Sequence, residues 1–288
     1  MKKIAVISGK GGTGKTVITA SLVALAKRER KVVSTDCDVD APDLHLLLKP
    51  EIRSRYRFSG LPQAKIDEEK CNRCGQCVEV CRFDAVSKEF RIDPIACEGC
   101  RFCYYVCPTG AIKLVESLAG EYFVSETRYG PMVHGQLRVA EQNSGRLVTL
   151  IRNQAQKIAE SEGFDLVVID GPPGIGCPTI ASLAGIDLAI VVTEPTLTAI
   201  HDLKRAISLT GHFGITTAVV INKFDLNDDN LREIEIRCGS EGLEVLGRIP
   251  FDPIVPKSIV AGVPLVEYTA EGVATSIGKI YSRIKESL

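Results

Sequence analysis

No apolar stretch in this chain of 288 residues reaches the roughly 20 needed to cross a bilayer, and the N-terminus lacks the basic region, apolar run and cleavage site of a secretory signal. A cytoplasmic location is therefore expected. Excess charge of either sign is also missing, and a formal net charge of −1 offers no general electrostatic ground for binding nucleic acid. Tryptophan is absent and methionine occurs only twice, which decides nothing. What remains is 45% hydrophobic and 25% charged, the balance of a soluble globular chain with a large core. One large domain with a small insert fits that length.

The first motif follows the apolar run Ile4-Ala5-Val6-Ile7. It is the glycine-rich loop Gly9-Lys10-Gly11-Gly12-Thr13-Gly14-Lys15-Thr16, after which Val17, Ile18, Leu22, Leu25 and Ala26 recur at helical spacing. The order strand, loop, helix is what phosphate binding needs. Gly11, Gly12, Thr13 and Gly14 let successive backbone N–H groups approach the phosphates, and the helix N-terminus adds positive potential. Lys15 reaches the terminal phosphates and the Thr16 hydroxyl can ligate Mg2+. The other reading of the loop is a tight glycine turn.

Further β-branched apolar runs stand at Lys31 to Asp36, Leu166 to Asp170, Leu188 to Thr193, Thr217 to Asn222 and Val245 to Ile249, separated by segments long enough for helices. The alternation predicts an α/β fold, a mostly parallel sheet covered by helices on both faces. Asp36-Cys37-Asp38 and Asp170-Gly171-Pro172-Pro173-Gly174 fall just past the carboxyl ends of two of these strands, where open α/β sheets place their ligands. Asp38 and Asp170 can thus converge on one Mg-nucleotide. Asp40 and Asp43 are expected to cap a helix and face water.

Eight of the eleven cysteines form two runs of one spacing, Cys71-x2-Cys74-x2-Cys77-x3-Cys81 and Cys97-x2-Cys100-x2-Cys103-x3-Cys107, the second followed by Pro108. In a reducing compartment such spacing means metal ligands rather than disulfides. Phe83-Asp84-Ala85-Val86 after the first run is echoed by Thr109-Gly110-Ala111-Ile112 after the second, so the segment is an internal duplication with a period of about 26 residues. Zinc held by paired Cys-x2-Cys is one reading, and two iron–sulfur clusters or one degenerate cluster are the others.

Two resemblances bear on these motifs. Lys10, directly after the first glycine, makes the loop a deviant Walker A motif, which resembles the MinD/ParA/Mrp and nitrogenase iron protein class of P-loop ATPases. Asp38, Asp170-Gly171-Pro172-Pro173-Gly174, Asn222-Lys223, Ile249-Pro250-Phe251-Asp252 and Gly262-Val263-Pro264-Leu265 extend the match. The resemblance covers residues 1–60 and 119–288 and implies an ATPase binding ATP/ADP with Mg2+ between two subunits. Lys10 would reach the partner's phosphates, Lys15 the β- and γ-phosphates, Thr16 and Asp170 would organise Mg2+, Asp38 would orient the attacking water and Asn222 would recognise adenine. The cysteine runs resemble bacterial two-cluster ferredoxins, in which the fourth cysteine of each run serves the other cluster. That implies an inserted α+β domain over residues 61–118 holding two [4Fe-4S] clusters, one on Cys71, Cys74, Cys77 and Cys107 and the other on Cys97, Cys100, Cys103 and Cys81. Arg82 stands where that pattern prefers proline.

The remaining features are weaker. Cys37, Cys177 and Cys238 are expected to be isolated thiols, Cys177 at a helix start. No Cys-x-x-Cys pair stands near the C-terminus, which argues against an Mrp-type cluster carrier. His134 reads as a turn residue after Gly130-Pro131. Ile277, Ile280, Tyr281, Ile284 and Leu288 share one face of a final helix and are expected to pack on the core rather than on a membrane. The expected whole is a dimeric ATP-driven switch, either a homodimer or a heterodimer with a paralogous ATPase, coupled to a redox or metalloprotein partner. The alternatives are a positioning ATPase with redox-sensing clusters and a metallocluster assembly factor.

Overall fold

The computed structural model describes residues 1–138, 141 and 143–287. The chain folds as two compact units, one of residues 1–55, 122–136 and 144–288 and the other of residues 56–121 and 137–143. The second is wider than the segment bounded by the cysteine runs alone.

The elements of the chain's first stretch are β1 (Lys2–Ser8), α1 (Lys15–Ala26), β2 (Val32–Asp36), α2 (Leu44–Leu48) and β3 (Glu51–Ser59). The stretch through the cysteine runs adds β4 (Gln63–Ile66), α3 (Gln76–Glu79), α4 (Phe102–Val106) and β5 (Ile112–Val115). β6 (Leu118–Thr127) and β7 (Gly130–Leu137) lead to α5 (Ser144–Glu162), β8 (Leu166–Pro173), α6 (Cys177–Leu183), β9 (Leu188–Thr193), α7 (Leu197–His212) and β10 (Thr216–Asn222). The chain closes with α8 (Asp228–Ser240), β11 (Glu244–Ile249), α9 (Ile254–Ala261), α10 (Leu265–Tyr268) and α11 (Val273–Glu286).

One sheet has the order β11-β10-β9-β1-β8-β2-β7-β6-β3. Its pairs from β11 through to β7 are parallel. All five residues of β2 and all six of β9 are buried, because a parallel sheet with helices on both faces leaves no wet side. Ile4, Val6, Val168, Ile190 and Val220 pack into one core with α1 and α11. α1 is buried nearly all round, from Val17 to Ala26, since α2, α10 and α11 lie against it as well as the sheet. On α11, Ile277, Ile280, Tyr281 and Ile284 are buried, and Leu288 lies outside the described residues. Among the described residues no helix is long and apolar enough to cross a membrane.

His134 corrects the sequence reading. It lies inside β7, beside Asp36 of β2 in the parallel register, and is only 9% exposed. The preceding Gly130 is not a loop residue but the first residue of the strand; its φ is 120°, and a Cβ there would sit 2.4 Å from the Val32 carbonyl oxygen. Only glycine fits that approach.

In the second unit β4 and β5 form a two-stranded antiparallel sheet. Ala64, Cys77, Val86 and Ile112 make its small core, with Cys81, Cys97, Cys103 and Cys107 packed at its margin. The duplication is visible in the backbone. Arg73, Gly75 and Asp84 have positive φ, and so do Gly99, Arg101 and Gly110 at the equivalent places of the second run. α3 and α4 each start from one of these left-handed residues, Gly75 and Arg101.

Candidate functional site

The glycine-rich loop joins the end of β1 to the start of α1, in line with the carboxyl ends of β2, β8, β9 and β10. Its shape is fixed from outside. Asn222, at the end of β10, donates its Nδ2 hydrogen to the Thr13 carbonyl at 2.7 Å, and a Cβ on Gly14 would lie 2.4 Å from that Nδ2. Gly14 has φ +88°, a left-handed turn that presents the first free N–H groups of α1 outward.

Lys15, Thr16 and Thr19 on the first turns of α1 gather on the carboxylate of Asp170 in β8. Lys15 Nζ is 2.9 Å from Oδ1, the Thr16 hydroxyl donates to Oδ2 at 2.7 Å, and the Thr19 hydroxyl lies 2.9 Å from Oδ1. Burial opposes the charge on Lys15, yet Asp170 together with Asp36 and Asp38 outweighs it and holds the ammonium above its ordinary pKa. Asp36, register partner of Asp170 across β2 and β8, is fully buried. It accepts hydrogen bonds from the N–H groups of Asp38 at 3.0 Å and Leu44 at 2.9 Å, and so ties the segment after β2 to the start of α2. Burial and the charge of Asp170 push its pKa up to about 8, against Lys15 and those two amides. Asp38 is partly buried and accepts from the Ala41 N–H at 3.3 Å. Burial raises its pKa too, while Lys15 pulls it back.

Lys15, Thr16 and Asp38 face a cavity of about 580 Å3, lined also by Gly11, Gly12, Gly14, Asn222 and Lys223 and by an apolar wall of Pro250, Phe251, Val255, Pro256 and Ile259. The size and the division into a polar phosphate end and an apolar end suit a nucleotide. Lys10 lies elsewhere. Its Nζ is 2.6 Å from the Glu194 carboxylate and 3.2 Å from the Thr196 hydroxyl. Glu194 also binds Lys223 at 2.8 Å, and Lys223 reaches back to the Gly12 carbonyl at 3.0 Å. Burial works against the Glu194 charge, but the two lysines hold its pKa below the ordinary carboxylate value.

The second unit contains two cavities among its cysteines. Cys71, Cys74, Cys77 and Cys107 line one, with Asn72, Gln76, Phe90 and Thr109. Cys81, Cys97, Cys100 and Cys103 line the other, with Phe83, Arg101 and Phe102. Each cavity therefore takes three cysteines from one run and the last cysteine of the other. Burial and the neighbouring Cys97, Cys100 and Cys81 push the Cys103 thiol up to about 11. Burial also raises Cys107, but the Thr109 hydroxyl, 3.7 Å from its sulfur, and nearby backbone N–H groups leave it lowered overall. Among the described residues no three His, Cys, Asp or Glu side chains converge closely enough to hold a single metal ion.

Residues 4–265 match the CobQ/CobB/MinD/ParA nucleotide binding domain. The chain belongs to that family. An uncharacterized protein of Methanocaldococcus jannaschii is 36% identical over 284 residues, 99% of this chain and 96% of its own length. An iron-sulfur cluster carrier protein of Pyrococcus abyssi is 26% identical over 301 residues, 99% of this chain and 85% of its own. The septum site-determining protein MinD of Pyrococcus horikoshii, solved with Mg-ADP, superposes with a TM-score of 0.60 at 20% identity, covering 99% of this chain and 96% of that one; it shares the mostly parallel α/β fold.

In this MinD/ParA-family chain, Lys15, Thr16, Asp38 and Asn222 line one cavity, Asp170 is buried behind Lys15 and Thr16, and Lys10 is held by Glu194. Asn222 directs its amide to the loop. Three residues escaped the sequence reading. Asp36 was visible only as one acid among several, and Thr19 and Glu194 not at all, although the place of Glu194 just after β9 obeys the same strand-end rule that picked out Asp170.

Proposed function

We propose that this chain is a slow, dimeric Mg-ATP hydrolase that carries two [4Fe-4S] clusters and couples its nucleotide state to electron transfer or partner docking. The observation that carries the proposal is the crossed distribution of the eight cysteines between two cavities, in a chain whose Lys15, Thr16 and Asp170 converge beneath a phosphate loop. Eight thiols dealt crosswise between two cavities suit two polynuclear clusters of the ferredoxin kind. The left-handed residues on either side of Cys74 and Cys100 turn backbone N–H groups into concave anion-binding nests, as iron–sulfur sites use. An iron–sulfur cluster supplies one-electron chemistry when bound.

In the nucleotide cavity the work falls to the chain's own side chains. Lys15 leaves Asp170 for the β- and γ-phosphates, Thr16 and Asp170 organise Mg2+, and Asp38 orients the water for in-line attack. Lys10 leaves Glu194 to neutralise charge on the phosphates of a second subunit, either another copy or a paralogous ATPase. The segment that carries Asp38 continues through α2 and β3 into the cysteine-bearing unit, which gives nucleotide-driven movement a covalent route to it.

The test is anaerobic purification followed by iron, sulfide and ATP-turnover assays. About eight irons per chain and an ATPase lost in Asp38→Ala are expected; protein with neither iron nor ATP binding would overturn the reading. A cluster-assembly role is the second reading, favoured by the similarity to a cluster carrier protein. Transfer of iron and sulfide to an apo-ferredoxin, faster with ATP, would establish it in place of electron transfer.

A further inference from the structure

The two cysteine cavities share a backbone plan but differ at their rims. Beside Cys71, Cys74, Cys77 and Cys107 the polar lining residues are the uncharged Asn72, Gln76 and Thr109. Beside Cys81, Cys97, Cys100 and Cys103 the lining includes the acid Glu98 together with Phe83, Arg101 and Phe102; the last three are exposed, Phe83 44% and Phe102 55% accessible. α4 buries none of its residues, and Tyr105, one turn along from Phe102, is 72% exposed and meets Tyr104 edge to face. Such a cluster of exposed aromatics is unusual on a free surface. Arg82 lies between the two lining residues Cys81 and Phe83 and is exposed. Among the described residues neither Arg82 nor Arg101 has an ion-pair partner. Arg101 also holds a left-handed φ of 66°, where the equivalent place in the first run has Gly75; a side chain is kept there against its conformational preference.

We propose that Phe83, Phe102 and Tyr105, flanked by Arg82 and Arg101, form the docking face for a small acidic one-electron carrier protein, and that electrons enter and leave this chain beside Cys100 and Cys103. The inference rests on the cluster reading above. It follows from the chemistry of the rim. Outer-sphere transfer needs the donor and acceptor close together, and Cys100 is the exposed ligand of this cavity. An aromatic centre excludes water, and two guanidinium groups that make no ion pair among the described residues attract a carboxylate-rich partner and orient it, while Glu98 on the same rim limits the face to a small net positive charge. One electron passes between the partners, the one that loses it being oxidised and the other reduced, and no bond forms or breaks.

The test uses full-length, anaerobically reduced holo-protein mixed with oxidised flavodoxin, an acidic flavin carrier, with the cluster absorbance followed in time. In the wild type the bimolecular rate should fall as ionic strength rises. The Arg82→Glu/Arg101→Glu and Phe102→Ser/Tyr105→Ser variants should each be slowed about tenfold or more with flavodoxin, yet react with neutral benzoquinone at the wild-type rate and retain wild-type iron. Variants that retain iron and react with flavodoxin as the wild type does would overturn the docking face and leave the clusters standing. Wild-type protein without iron would instead remove the reading beneath it.

Discussion

The carboxylate of Glu194 lies 2.6 Å from Lys10 Nζ and keeps that lysine on the outside of its own phosphate loop. If Lys10 acts on a second subunit, this ion pair must open first. Glu194→Gln should therefore let ATP-dependent dimers form at roughly tenfold lower nucleotide concentration, the equivalent of about 1.4 kcal/mol, as measured by light scattering. The same change leaves Lys10 and Lys223 without their shared anion and should lower stability by roughly 1 kcal/mol. Lys10→Ala should abolish turnover while leaving ATP affinity almost unchanged.

Asp170 is the counter-charge of a lysine that is nearly inaccessible, Lys15 being 6% exposed. Asp170→Asn takes the ion-pair partner from that buried ammonium and leaves it to the more distant Asp36 and Asp38, at a cost of about 3 kcal/mol. The melting temperature of the nucleotide-free variant should drop clearly. Added ATP without Mg2+ should restore much of it, because the phosphates bring the missing negative charge; a variant that melts like the wild type contradicts this pairing.

Asp36 gives a pH dependence of unusual sign. Its folded pKa, raised to about 8, lies above its unfolded value near 3.9, so the folded state binds the proton more tightly. Its contribution to stability is then fully present below about pH 4 and is lost as pH rises through about 8. The melting temperature of wild type minus that of Asp36→Asn should fall steadily from about pH 5 to about pH 8. A flat difference would show that Asp36 does not hold a proton.

With two clusters bound as proposed, the crossed cysteine cavities predict that Cys107→Ser impairs the site of the first run, on Cys71, Cys74 and Cys77, and Cys81→Ser that of the second. Resonance spectra of the two variants should lose different signals. Thr109→Ala, which removes the hydroxyl 3.7 Å from the Cys107 sulfur, should lower the potential of the first site. A hydrogen bond worth about 0.5–1.5 kcal/mol corresponds to a few tens of millivolts, roughly 59 mV per tenfold for one electron.

The parallel sheet could be read from the sequence because its strands are buried on both faces and so appear as unbroken β-branched runs. The phosphate loop could be read because few other structures need that many glycines before a Lys-Thr pair. His134 was misread because Gly130-Pro131 is also a turn signal, and only the approach of the Val32 carbonyl reveals a strand. Buried beside Asp36, His134 stacks with His45 at 6.3 Å and lies 3.1 Å from the Ser125 hydroxyl. Burial, with His45, pushes its pKa down to about 4. Asp36 and Glu194 take their importance from neighbours on strands distant in sequence, which no local pattern records.

α1 has a further consequence. Its residues from Val17 to Ala26 are packed against sheet and helices almost all the way round, so the loop at its head is anchored to the most incompressible part of the molecule. The element that grips phosphate is thus a stator. The stretch beyond Asp36, where Asp40, Ala41 and Asp43 are exposed, is lightly covered by comparison, and amide exchange should be much faster there than in α1.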